Sequence, residues 1–474
     1  GILAASIEAI NALPGLSANG GEITIVDTLG EFAQAEFAEG NLPQVQSSSL
    51  TNDEAISNPG RGFYFENDSV ELLNNASIEG TGEFGGGILS DGASGTFITN
   101  ANGALISGAD NDGVMLIDGG DVTNAGQIEG LVSERADGIS GWTDDPDNLD
   151  ENGASVRVNN EATGVISGVR YGVAAFSGGD IVNAGDIVGS GGILVADEPL
   201  IEVTPPTESE PGVYDPLGIA TASVVNTGTI TGTGALDELG GNHVYTPSGI
   251  GIALNSFLSG AAVLNEGDIT GAEIGINSLV DGAVITNQAG GVISGAGLGT
   301  NIYGNDEFFD APGAGIRLDA SFDTTISNAA LSTIEGGTYG IVVTQQWGGT
   351  VEEPVLLKEG GNTSIVNAGT ITGGQLDGVM LVGGGSITNS GTIENVAASE
   401  AGTPDGVSGF TDVHDKFGAG DIALQLDNLA GGEIVSVGRG VAFSSGGVVN
   451  NDGLIEGGDL GILIQAYTEQ QSYF

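Results

Sequence analysis

Apolar residues alternate with small or polar ones in short runs along most of the chain, with no helical spacing between the runs. Three kinds of run follow one another. One is Gly-Ile/Val-x-apolar, as in Gly113-Val114-Met115-Leu116, Gly192-Ile193-Leu194-Val195 and Gly340-Ile341-Val342-Val343. The other two, x-Ile/Val-x-Asn and Gly-x-Ile-x-Gly, join into Asn-x-Gly-x-Ile-x-Gly. Strict copies of Asn-x-Gly-x-Ile start at Asn124, Asn183, Asn226, Asn265, Asn367, Asn389 and Asn451. Looser copies run from Asn75, Asn100, Asn160, Asn287, Asn328 and Asn428. The shortest spacings between the closing isoleucines are 21 and 22 residues, as from Ile106 to Ile128 and Ile166 to Ile187. A coil of that length holds three short strands with tight corners, each strand turning its alternate apolar residues inward. The pattern therefore predicts an all-β fold, a single-stranded parallel β-helix (solenoid) of about 13 or more coils. Asn at one fixed corner tolerates left-handed backbone, and its amide can bond the Asn above and below. The seven strict asparagines are thus expected to form a structural Asn ladder that satisfies corner backbone groups.

A longer repeat lies over the short one. The segment from Asp112-Gly113-Val114-Met115-Leu116 returns at Asp377-Gly378-Val379-Met380-Leu381, and Asp137-Gly138-Ile139-Ser140-Gly141-Trp142 returns at Asp405-Gly406-Val407-Ser408-Gly409-Phe410. Tyr171-Gly172-Val173-Ala174 matches Arg439-Gly440-Val441-Ala442. Residues 58–197 are thus duplicated at about 311–466. Long spacings place insertions at 141–157, 196–222, 344–364 and 410–425 after the Gly-Ile/Val strand, and at 233–248, 296–312 and 396–404 before it. Insertions kept to the same corners build one decorated edge, the usual binding face of a solenoid. Residues 1–53 lack the motif. Ile2 to Leu13 suggests a short helix, Glu22 to Asp27 a strand, and Glu31 to Glu39 a second helix. An open β-coil needs a cap, so 1–53 is read as an N-terminal cap or assembly segment and 54–474 as the β-helix. The carboxyl end shows no cap, which points to a continuing chain or to pairing with another subunit.

Charge narrows the partners. Eight basic residues face 63 acidic ones, for a formal net charge of −55. Nucleic acid is excluded as a partner, because phosphate binding needs clustered cations. Self-repulsion of this size calls for salt or divalent cations, so a saline or calcium-containing exterior is the expected habitat. The chain has no cysteine and therefore neither disulfides nor thiolate metal sites. No apolar stretch reaches the ~18 residues of a membrane-spanning helix. Membrane contact is expected only through an anchor or barrel outside this sequence.

Tandem x-Ile/Val-x-Asn-x-Gly-x-Ile-x-Gly units with Gly-Ile/Val-x-Leu strands resemble the passenger region of Gram-negative autotransporters and related large bacterial surface adhesins. Val225-Asn226-Thr227-Gly228-Thr229-Ile230 and Val366-Asn367-Ala368-Gly369-Thr370-Ile371 are especially typical. The resemblance covers about 58–466 and implies a right-handed helix. It also implies an extracellular location on the bacterial outer surface and a non-enzymatic structural or adhesive role. The motif encodes rungs and not a site, so it does not choose among functions. The carboxyl-terminal membrane barrel of that family is not in this sequence, so a self-assembling filament or surface-layer subunit stands beside an adhesin passenger. The expected partners are the chain itself, head to tail or laterally, and a host or neighbouring cell surface or polysaccharide.

Three sets of side chains are candidates for chemistry. Asp144, Asp145, Asp147, Asp150 and Glu151 crowd one insertion and offer the hard oxygens calcium prefers, weighed against a plain solvated acidic loop. Trp142, Trp347 and Phe410 lie in insertions, where they either contact sugars and partners or staple the insertion to the coil. Asp112, Asp137, Asp377 and Asp405 sit in Asp-Gly-Ile/Val sequences that superficially resemble those of polygalacturonase-like β-helix enzymes. Paired carboxylates could serve glycoside hydrolysis. No Gly-His-Gly or Arg-Ile-Lys element accompanies them, and His243 and His414 are the only histidines. These aspartates are read as coil corners, no catalytic residue is assigned, and a carbohydrate-active β-helix enzyme is kept as the alternative.

Overall fold

The computed structural model describes residues 16–19, 22–25, 48–65, 70–82, 85–91, 95–143, 145, 149–150, 153–197, 219–234, 249–255, 258–297, 313–344, 346–350, 353–358, 360–397, 403–410 and 424–465. Two compact units are present, Gly1–Val224 with Leu236–Val244, and Val225–Ala235 with Tyr245–Phe474. The described strands form three parallel sheets of 14 strands each, the parallel β-helix read from the alternation. The first sheet holds the strands that end in the ladder asparagine, such as Gly120–Asn124. The second holds the Ile-x-Gly strands, such as Gln127–Gly130, and the third the Gly-Ile/Val strands, such as Val114–Ile117.

In the first unit the coils begin at Ser48–Asn52, within the segment that carries no motif, and this strand pairs in register with Val70–Asn74. Ahead of it Leu16–Asn19 and Glu22–Ile25 make an antiparallel pair, which matches the strand expected from Glu22. The two expected helices, at 2–13 and 31–39, lie outside the described residues. Strict alternation explains why side chains go where they do. In Val70–Asn74 the pattern buries Val70, Leu72 and Asn74 and exposes Glu71 and Leu73. The ladder residue here is accordingly Asn74 and not Asn75, whose exposed amide bonds Asp53 Oδ1 at 2.8 Å. The loose motif copies have a physical reason. Four of them, from Asn100, Asn287, Asn328 and Asn428, carry a longer corner turned by a left-handed residue, Gly103, Gly290, Leu331 or Gly431.

The core is a set of columns running from coil to coil. Ile78, Ile106, Ile128, Ile166 and Ile187 in the first unit are all fully buried, as are Ile269, Ile293, Ile334, Ile371, Ile393 and Ile434 in the second. Each such side chain contributes about 1.5–3 kcal/mol by leaving water. Coils approach so closely that a Cβ on Gly340 would meet the carbonyl oxygen of Gly378 at 2.5 Å and Ile371 Cγ2 at 2.6 Å. That is why the third-sheet strands open on glycine. The outward positions of the third sheet are buried too, among them Leu89, Ala174, Val342 and Met380. In the second unit Val342 and Met380 cluster with Tyr339, Leu376 and Val382, and Phe410 packs against them.

The ladder satisfies the corner as expected. Asn100 Nδ2 donates to Asn124 Oδ1 at 2.9 Å, and Asn124 Nδ2 to Asn160 Oδ1 at 2.9 Å. Asn124 Nδ2 also reaches the carbonyls of Gly126 and Val165, both at 3.2 Å. In the second unit the links include Asn226 to Asn265, Asn367 to Asn389 and Asn428 to Asn451, at 2.9, 2.8 and 2.7 Å. Asn183 occupies the same buried corner position, with Nδ2 on the Gly185 carbonyl at 3.1 Å.

Candidate functional site

The most unusual chemistry among the described residues is a buried acidic corner that occurs once in each unit. The residue just before the third-sheet glycine stands at a corner, and parallel register stacks these residues in a column. Val114 pairs with Ile139, so Asp112 stands next to Asp137; Val379 pairs with Val407, so Asp377 stands next to Asp405. Asp112 and Asp137 are 3% and 0% exposed, Asp377 and Asp405 7% and 2%.

Each carboxylate is spent on its surroundings. Asp112 Oδ1 accepts the Asp137 N–H at 2.8 Å, and Asp112 Oδ2 accepts the Ser140 hydroxyl. Asp137 accepts Arg170 Nε at 3.0 Å and Nη2 at 2.5 Å, and also the Tyr171 N–H at 3.0 Å. In the second unit Asp377 takes the Asp405 N–H at 2.8 Å and the Ser408 hydroxyl. Asp405 there is held by Arg439 through Nε at 2.7 Å and Nη2 at 2.8 Å. Arg170 also lies over the rings of Tyr171 and Phe176, at 5.2 and 5.5 Å from their centroids.

Two carboxylates share one guanidinium, and burial makes the second charge costly. Burial first, and then the charge of Asp137, raise Asp112 to about 7. Burial and Asp405 do the same to Asp377, also to about 7. Asp137 and Asp405 are raised by burial while their arginines pull the other way. For Arg170, burial opposes the charge, but Asp137 outweighs it and the guanidinium is held above its ordinary value. The arrangement can therefore bind or release a proton near neutrality, and it ties one coil to the next through a side chain.

The sequence located the four aspartates and their corner position but not their arginine partners. Arg170 and Arg439 come from different alignment positions. Arg439 stands in the corner column itself, opposite Asp405, while Arg170 precedes the column residue Tyr171. A usable signal was present, since two of only eight basic residues fall at the coil that follows an Asp-Gly pair.

Of the calcium candidates, Asp144, Asp147 and Glu151 lie outside the described residues. Asp145 N–H donates to Thr143 Oγ1 at 3.1 Å, and Asp150 Oδ1 accepts the Ala154 N–H at 2.9 Å. Trp142 is half-buried at the end of Ile139–Trp142. Trp347 lies on Gln346–Thr350, which pairs antiparallel with Glu353–Lys358 in the 344–364 insertion. Phe410 ends the third-sheet strand Asp405–Phe410 and packs against the cluster of Val342 and Met380.

A second candidate is a surface. In the second unit the outward residues of the first sheet from Gly260–Asn265 to Gly385–Asn389 form two columns, Ala262, Val284, Thr325, Ser364, Ser386 and Leu264, Thr286, Ser327, Val366, Thr388, ahead of Gln425 and Asp427 on the next strand. None of these ten carries charge, and the segments 283–297, 324–334, 362–376 and 383–393 contain no Asp, Glu, Lys or Arg at all. The first unit presents Glu71, Asp121, Arg157 and Asp180 on the same sheet, with Arg157 and Asp121 paired at 2.5 Å. No family model matches the chain, and no curated protein or solved structure matches it.

Proposed function

We propose that this protein is a non-enzymatic structural or adhesive component of the bacterial outer surface, an autotransporter-like passenger or a self-assembling filament or surface-layer subunit. The uncharged stretch of the first sheet's outer face in the second unit, from Ala262 to Thr388, carries this reading. A chain of net charge −55 repels most copies of itself and most anionic surfaces. A stretch of hydroxyl and methyl groups without carboxylates is where a neutral partner or polysaccharide can approach. The acidic corners support the same reading, because their oxygens bond backbone N–H groups, serine and arginine and are 7% exposed or less. Calcium held by the 144–151 insertion belongs to this proposal and is tested by calorimetric titration, where no heat at millimolar calcium removes it.

The test pairs a cleavage assay with a binding assay. Acidic and neutral polysaccharides incubated with the protein should release no new reducing ends. Retention on an insoluble neutral polysaccharide should be measurable and should fall when Thr325→Asp and Ser364→Asp place carboxylates on the face. Release of reducing ends would replace this reading with the carbohydrate-active enzyme.

A further inference from the structure

The uncharged stretch of the first sheet, which lies wholly within the second unit, holds hydroxyls that the protein itself does not use. Thr325, Ser364 and Ser386 stand in one column of register neighbours, and Thr286, Ser327 and Thr388 in the other. All six are exposed or half-buried, and none of their hydroxyls bonds a described residue. Val284 and Val366, 45% and 46% exposed, add a methyl surface to each column. The second sheet of the same unit differs. There Ser294 Oγ donates to Thr270 Oγ1 at 3.3 Å and Thr372 Oγ1 to Glu394 Oε1 at 3.2 Å, and Glu335 and Glu394 interrupt the column with charge.

Register fixes the dimensions. Residues two apart on a strand are separated by about 6.6 Å, and successive coils by about 4.8 Å. The two columns therefore border a shallow track floored by sheet backbone, with Ile285, Ile326, Ile365 and Ile387 turned inward beneath it. From Gly260–Asn265 to Gly385–Asn389 the track takes four coil steps, roughly 19 Å. Its surroundings are acidic: Asp427 stands on the next strand, and exposed Asp281 and Asp323 lie at the corners that lead into the sheet. With a strand width of about 13 Å, the uncharged area is roughly 250 Å², against the roughly 800 Å² per partner of a stable protein pair. A second copy of the chain would thus press carboxylates on carboxylates around the rim. A single extended sugar chain needs only the track.

We infer that this track binds an unbranched, neutral, β-1,4-linked glycan laid across the strands from coil to coil. Equatorial linkages keep such a chain straight and advance it by nearly one coil spacing per sugar, so about four sugars meet equivalent side-chain pairs in turn. The C–H faces of the rings suit Val284 and Val366. Their hydroxyls suit the threonines and serines, each of which both donates and accepts. An α-linked chain curves away from a straight track, and an anionic one meets the acidic rim. None of the ten outward residues is aromatic, so affinity comes from the number of sugars engaged and not from one stacked ring.

The inference rests on the adhesive reading and names its ligand. The full chain is titrated with cello-oligosaccharides and, separately, with N-acetylated chito-oligosaccharides of two to six sugars, in about 0.5 M salt to screen repulsion. The two series share one geometry, and their comparison tells which source fits better. Affinity for at least one series should rise with length to about four sugars and then level off, the length of the track. Ser327→Asp, at mid-track, should weaken binding about tenfold or more, because its carboxylate must lose water under a neutral sugar. Thr392→Asp, on the second sheet, should leave binding unchanged. Malto-oligosaccharides and oligogalacturonates should bind far more weakly. Circular dichroism confirms that each variant stays folded. Affinity independent of length, equal affinity for the malto series, or an equal loss from Thr392→Asp overturns the track. Dimers of the parent in sedimentation that Ser327→Asp abolishes overturn it in favour of a second copy. No binding of either series, with retention on a different neutral polysaccharide, overturns the track and leaves the adhesive reading standing. Release of reducing ends removes the non-enzymatic reading without touching the length dependence.

Discussion

Replacing Asp112 and Asp377 by Asn should stabilise the protein above neutral pH and flatten its pH dependence. Both carboxyls are raised from 3.8 to about 7, first by burial and then by the neighbouring aspartate. Because the folded value exceeds the unfolded one, the native state binds the extra proton between about pH 4 and pH 7. Stability falls as pH rises through that window and stays low above it. A difference of roughly 3 units at 1.36 kcal/mol each makes the penalty about 4 kcal/mol per site at pH 8, an order of magnitude. Asn keeps the acceptor for the Asp137 or Asp405 N–H and offers Nδ2 to the serine oxygen, so the contacts survive while the charge goes. The loss of attraction to Arg170 or Arg439 offsets part of the gain, which leaves roughly 2–4 kcal/mol per site. The assay is chemical denaturation at pH 5 and pH 8 in about 0.5 M salt, where screening suppresses the background from the remaining acids. Each single variant should exceed the parent by much more at pH 8 than at pH 5. Equal pH slopes for parent and variant, or a variant less stable at pH 8, would refute the buried-charge argument.

Other substitutions probe the remaining contacts. Arg170→Met or Arg439→Met strands a buried aspartate and should cost about 3–5 kcal/mol at pH 8; the cost should shrink on acidification as that aspartate takes a proton, read by the same denaturation series. Asn367→Ala removes the bonds to Asn389 Oδ1 and the Thr392 carbonyl and leaves Asn328 Nδ2 with the Thr370 carbonyl but without its amide acceptor. A loss of about 2–4 kcal/mol is expected, with faster amide exchange in the two flanking coils by hydrogen-exchange mass spectrometry. Leu331 holds φ at 67° while 89% exposed, so its side chain packs little against a strained backbone. Leu331→Gly should therefore raise stability by about 1 kcal/mol, seen as a small increase in melting temperature.

The coil was legible because its determinants are local. Alternation in Val122-Thr123-Asn124 is enough to say that Val122 and Asn124 share one face, and the isoleucine spacing then sets the length of a turn. Asn75 shows the limit of motif matching. The template selected it, but alternation from Val70 puts Asn74 inside. The acidic corners were legible as corners, since Asp-Gly precedes an inward Ile or Val. Their electrostatics were not, because Asp137 finds Arg170 one coil later, and Asp405 finds Arg439 across an insertion. The uncharged face was hidden for the same reason. Ser364 and Thr325 are neighbours only by register, 39 positions apart in the chain.

Residue order by itself determined which side chains face inward, where the corners fall and that an amide ladder would fill one of them. Those outcomes need only backbone geometry and the period of two along a strand. Tertiary structure decided what stands beside what across coils: the pairing of a buried aspartate with an arginine, and the columns that leave part of one sheet face without charge. Insertions of variable length separate successive coils in sequence. Side chains in contact are thus set by stacking register, which no local pattern encodes.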